Sequence, residues 1–171
     1  MPVSCYAKPL KGLIALLLCL LSAVAVAEPV AIGQSFPDFT LPSAYADFGQ
    51  RLAEQRGKPV MLVLPGRCDR CDQELAPFQL LSAGFALDEL VTWVIWTPVR
   101  KDQPPRIHLP VLRRTAGWAD NAWQEKPTVL LINRDGVLDH VIQERLSRLP
   151  DVTRQQLNAW MSAGQRRLPQ P

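Results

Sequence analysis

Val60-Met61-Leu62-Val63-Leu64-Pro65-Gly66-Arg67-Cys68-Asp69-Arg70-Cys71 is the stretch on which the fold turns. Its first five residues are apolar at every position, as a central strand covered on both faces requires. Pro65-Gly66-Arg67 then turns the chain into two cysteines separated by two residues, and a helical pattern starts at Asp69. Cysteines so spaced close a small disulfide ring and reopen it. A bridge across so short a loop restricts the unfolded chain little, so its value lies in redox chemistry more than in stability.

The pattern extends outward on both sides. Leu75, Phe78, Leu81 and Phe85 recur at helical spacing after the cysteines; Pro77 predicts a kink and Gly84 the end of the helix. Upstream, Ile32 to Leu41 is an irregular lead-in carrying Phe36, Phe39 and Leu41. Ala44 to Gly57 reads as an amphipathic helix with Phe48 and Leu52 inward and Arg51 and Glu54 outward. Downstream, Val91-Thr92-Trp93-Val94-Ile95-Trp96 is a second buried strand. Residues 99–126 carry Pro104-Pro105, Pro110, the basic residues Arg100, Lys101 and Arg106, and a short helical turn over Trp118 to Trp123.

Pro127-Thr128-Val129-Leu130-Leu131-Ile132 is a third apolar run. Asn133-Arg134-Asp135-Gly136 makes a hairpin turn, and Val137 to Ile142 pairs back with a more exposed character at Asp139 and His140. Asp151 caps a final helix with Leu157, Trp160 and Met161 on its apolar face, Gly164 ends it, and Gln165 to Pro171 is a polar tail. Strand, helix, strand, connection, strand, hairpin, strand and helix make an α/β arrangement with a mixed sheet.

Residues 1–27 read as a secretory signal peptide: Lys8 and Lys11, an uncharged 16-residue run from Gly12 to Ala27, and an Ala25-Val26-Ala27 cleavage site before Glu28-Pro29. The run is shorter than the roughly 20 residues of a spanning helix. Its removal leaves residues 28–164 as one domain with a real core. It also takes Cys5 and Cys19, leaving Cys68 and Cys71 alone. Of 19 Lys and Arg, 17 stay against 16 Asp and Glu, so the formal charge falls from +3 to +1. No basic stripe suits a nucleic-acid partner.

These residues resemble the exported thiol–disulfide oxidoreductases of the TlpA/ResA type, a branch of the thioredoxin fold. The resemblance rests on Gly57-Lys58-Pro59-Val60-Met61-Leu62, the Cys68–Cys71 motif, Glu74 beyond it, Leu109-Pro110-Val111-Leu112, Trp123, and Lys126-Pro127-Thr128 running to Asp135-Gly136. It spans about residues 32–163, the scale of one domain. Arg67 stands where that family usually has tryptophan, and the cysteines are shifted by one residue relative to the strand and the kinking proline. A peroxiredoxin-type Pro-x-x-x-Thr-x-x-Cys is absent from the sequence.

The resemblance implies a thioredoxin-like fold with a mixed central sheet flanked by helices, and a periplasmic oxidoreductase acting as a reductant. Its partners would be client proteins with thiols or disulfides and a membrane or periplasmic redox partner; it implies no cofactor. Cys68 is the expected nucleophile, favoured as thiolate where the helix begins, and Cys71 the resolving thiol one turn into the helix. Pro127 is expected in the cis form, with Lys126 bringing a cation near Cys68 and lowering its pKa. Glu74, three residues after Cys71 on the same helix face, is placed to move the proton of the resolving thiol. Two other readings stay open: a copper-binding or metallochaperone module using the two sulfurs, and a thioredoxin-like binding domain without turnover.

Overall fold

The computed structural model describes residues 30–97, 103–115, 118, 123 and 126–165. The leader over residues 1–27, Arg100, Lys101 and the tail beyond Gln165 lie outside them, as does most of the expected turn between Trp118 and Trp123.

Three apolar runs form the middle of a five-stranded mixed sheet. The strands are β1 (Thr40–Pro42), β2 (Gly49–Arg51), β3 (Val60–Leu64), β4 (Val91–Trp96), β5 (Val111–Arg113), β6 (Thr128–Ile132) and β7 (Leu138–Gln143). The large sheet runs β5-β4-β3-β6-β7; β1 and β2 form a separate antiparallel pair. β3 is parallel to β4, and β4 to β5, whereas β6 is antiparallel to both its neighbours. Every residue of β3 and of β6 is buried, as the unbroken apolar sequence requires. The Asn133–Gly136 turn joins β6 to β7, with the Gly136 N–H donating to the Asn133 carbonyl at 2.9 Å.

The two faces of the sheet are covered differently. Met61, Val63, Val94, Val129 and Leu131 face α1 (Cys71–Gly84) and α2 (Leu149–Gln165), through Leu75, Phe78, Leu81, Leu149 and Leu157. Leu62, Leu64, Trp93, Ile95 and Leu130 face the lead-in segment and two tryptophans, through Phe36, Leu41, Leu52, Trp118 and Trp123. Phe36 stacks on Trp123 at 5.9 Å, and Phe39 meets Trp118 edge-on at 5.4 Å. Among the described residues both α-helices therefore pack on one face, and aromatic residues fill the other. None of those residues forms a helix long and apolar enough to cross a membrane.

Three local expectations are corrected. Where a helix is expected between Ala44 and Gly57, the chain instead holds the connection from β1, strand β2 and a 3-10 turn over Leu52–Gln55. Phe48 is 65% exposed; Leu52 is buried in the core, and Ala44 packs against the core on the other side of the sheet. The backbone pairing is tight: a Cβ on Gly49 would stand 2.9 Å from the Leu41 carbonyl oxygen. α1 begins at Cys71, not Asp69, and runs on through Pro77 to Gly84. α2 begins at Leu149, which puts Asp151 inside its first turn and not at the cap; Pro150 fits there because early helical N–H groups have no intrahelical partner to lose.

Candidate active site

The parallel strands β3 and β4 end on the same side of the sheet, and the cysteines follow directly from β3. Gly66 makes the turn with φ +67°, in the left-handed region that suits glycine. Arg70, at ψ 56°, is the last residue before helical geometry. The N–H groups of Gln73 and Glu74 both donate to its carbonyl at 3.0 Å.

Cys68 and Cys71 form a disulfide with their Cα atoms 5.2 Å apart. Both are half-buried and pack against the helix-side core. Cys71, expected one turn into the helix, is its first residue, and Cys68 precedes the helix. The positive end of the helix dipole thus acts on Cys71 directly. The Cys71 Sγ lies 3.1 Å from the Cys68 carbonyl oxygen, to which its S–H would donate once the bridge is reduced.

A groove of about 740 Å³ opens over the disulfide. Gly66 to Gln73 form its floor, Trp96 and Thr97 one side, and Gln103, Pro104 and Arg106 another. That last wall is fastened by side chains. Asp72 Oδ1 accepts the Arg106 N–H at 2.8 Å, and Gln79 Oε1 accepts the His108 N–H at 2.6 Å. The Tyr45 hydroxyl lies 2.6 Å from the Pro104 and Pro105 carbonyl oxygens and donates to one at a time. Burial holds the Tyr45 phenol above its ordinary pKa, the Asp72 carboxylate adds to the effect, and Arg106 opposes it.

The remaining expected site residues lie outside the groove lining. Pro127 is half-buried against the turn: a Cβ on Gly66 would lie 3.6 Å from its nitrogen. The Lys126–Pro127 bond is trans, since no peptide bond is cis among the described residues. This corrects the cis expectation; trans is the intrinsically lower-energy form of a prolyl bond, and here the Thr128 hydroxyl donates to the Lys126 carbonyl at 2.8 Å. Lys126 is exposed, and Glu74 is half-buried in the first turn of α1. Lys126, Pro127 and Glu74 are not part of the groove lining.

Arg106 forms part of the groove although it is not among the expected site residues. The basic composition of residues 99–126 was the available signal for Arg106; nothing in the spacing marked Tyr45, Asp72 or Gln79 as anchors of the wall. Among the described residues no three His, Cys, Asp or Glu side chains group as a metal site.

The fold and this site define a thioredoxin-like α/β domain carrying a Cys-x-x-Cys pair. Solved structures share that fold. A protein assigned as the thiol:disulfide interchange protein DsbE of Chlorobium tepidum is 19% identical with a TM-score of 0.61, over 77% of this chain and 99% of its own. The thioredoxin domain of a thiol-disulfide oxidoreductase from Bacteroides vulgatus is 13% identical with a TM-score of 0.58, over 77% and 99%. The peroxidoxin BcpB of Mycobacterium tuberculosis is 21% identical with a TM-score of 0.61, over 76% and 97%. At these identities the likeness establishes the fold. No protein-family profile matches the chain, and no curated protein matches it.

Proposed function

We propose that the chain is a thiol–disulfide oxidoreductase that reduces client proteins through Cys68 and Cys71. The observation that carries this reading is a disulfide between half-buried cysteines at a helix N-terminus, on the floor of an open groove. Structural cysteines seldom bridge across two residues, and a helix N-terminus favours the thiolate that exchange needs.

In the reduced protein the Cys68 thiolate attacks one sulfur of a client disulfide. The client S–S bond breaks, a mixed disulfide forms, and the departing client sulfur takes a proton. The Cys71 thiolate then attacks the Cys68 sulfur. The mixed disulfide breaks, the Cys68–Cys71 bond forms, and the second client thiol leaves. Two electrons pass from the protein to the client, and a membrane or periplasmic dithiol partner returns them.

Glu74 would take the Cys71 proton, Lys126 would favour the Cys68 thiolate, and the chain around Pro127 would present backbone to an extended client. The composition of residues 1–27 supports export to the periplasm. N-terminal sequencing of the exported protein should begin at Glu28.

Client trapping tests the reaction. Cys71→Ser leaves Cys68 unable to resolve and should accumulate disulfide-linked clients that dithiothreitol releases. The Cys68→Ser/Cys71→Ser protein should capture none. Equal capture by both proteins would end the proposal.

A further inference from the structure

The charges around the disulfide indicate what kind of client segment the groove receives. Arg67, Arg70 and Arg106 all line it, and all three residues are exposed. Among the described residues none of the three is in an ion pair; those present there are Arg51–Asp38 and Arg134–Glu89, outside the groove lining. The carboxylates that line the groove are Asp69 and Asp72. One oxygen of Asp72 is already engaged by the Arg106 backbone N–H at 2.8 Å. The Arg106 guanidinium reaches the Gln103 side-chain oxygen at 3.5 Å, a neutral partner.

A guanidinium presents a planar fork of donors matched to a carboxylate, and it is always charged. Three of them against two aspartates give the groove lining a net charge of +1, with none of the three guanidinium groups in an ion pair among the described residues. Near-surface charges of one sign raise encounter rates with the opposite sign and slow their own. We propose that the groove selects client segments in which acidic residues flank the cysteine to be reduced. The inference rests on the exchange reaction proposed above and adds its substrate class.

The experiment uses the reduced protein and three otherwise identical disulfide peptides whose cysteine is flanked by glutamates, glutamines or lysines. The uncharged 2-hydroxyethyl disulfide serves as reference. Second-order rates are expressed relative to that reference, which cancels any change in intrinsic thiol reactivity. The glutamate peptide should react roughly tenfold faster than the glutamine peptide at low ionic strength, and the lysine peptide more slowly. The preference should collapse in roughly 0.5 M salt. It should also collapse in the Arg67→Gln/Arg70→Gln/Arg106→Gln protein, while the salt series on the unaltered chain needs no variant to fold. Equal rates for the three peptides, alongside normal reduction of the reference, overturn the charge selection and leave the oxidoreductase reading standing. No reaction with the reference removes both.

Discussion

Gly66 and Pro127 are packed together: a Cβ placed on the glycine would lie 3.6 Å from the proline nitrogen and 3.8 Å from its Cδ. The contact joins the turn before the cysteines to the start of β6. It also separates two effects of substitution, since the distance is ordinary while φ of +67° is not. Gly66→Ala should cost about 1–2 kcal/mol, the left-handed penalty of an L-residue. Gly66→Asn should cost less, because asparagine visits that region more readily. Urea unfolding of the three proteins checks the order; an alanine variant as stable as the parent would contradict it.

Asp72 joins the helix N-terminus to the groove wall through the Arg106 N–H. Asp72→Ala should speed hydrogen exchange at the Arg106 amide and cost about 1 kcal/mol of stability. Tyr45→Phe should loosen the same wall from the Pro104–Pro105 side. Loss of the Asp72 charge beside Cys71 should also favour the thiolates of the reduced pair and move its potential toward the oxidising side. An unchanged Arg106 exchange rate would show that the wall does not depend on this bond.

Asp38 gives the stability a dependence on acid. Its carboxylate accepts from Arg51 Nε at 2.7 Å and from the Ala53 N–H at 2.8 Å. The Arg51 hydrogen bond is the leading cause that holds its pKa below the ordinary 3.8. The unfolded chain therefore takes up the proton first as pH falls. The contribution is present above about pH 4 and is lost as pH drops through the lowered folded value. It is small, because the pair is solvent-exposed. Asp38→Asn should flatten the acid limb of the urea midpoint against pH, and an identical limb would remove Asp38 from the account.

Lys126 follows from proximity. Its backbone lies beside the Gly66 turn, and its side chain is exposed. If its cation favours the Cys68 thiolate, Lys126→Ala shifts the pH profile of iodoacetamide reactivity to higher pH. Superimposed profiles would leave Lys126 a solvated surface residue.

The parts of this molecule that sequence revealed are those whose side chains dictate the backbone. β3, β4 and β6 were legible because Val60–Leu64, Val91–Trp96 and Thr128–Ile132 are apolar throughout, and α1 because Leu75, Phe78 and Leu81 keep a helical period. The β1–β2 hairpin was not, because backbone pairing and the close approach at Gly49 hold it, and these leave no periodic trace. β5 has three residues, too few for a pattern. At the site, the cysteine pair announced itself by spacing. The groove wall did not: Asp72 and Gln79 accept from backbone N–H groups about 30 residues downstream, and Tyr45 donates to backbone carbonyls. Backbone partners carry no residue identity for a motif to expose.

The reduction potential of the Cys68–Cys71 pair tests the account most directly. Equilibration with thiol buffers of graded potential should give one reversible two-electron transition that either cysteine-to-serine change abolishes. A reductant should have its midpoint at or below about −200 mV, well away from the roughly −120 mV of a strong disulfide-forming catalyst. A midpoint near that oxidising value would contradict the direction of electron flow, and the absence of any reversible transition would contradict the exchange reaction itself.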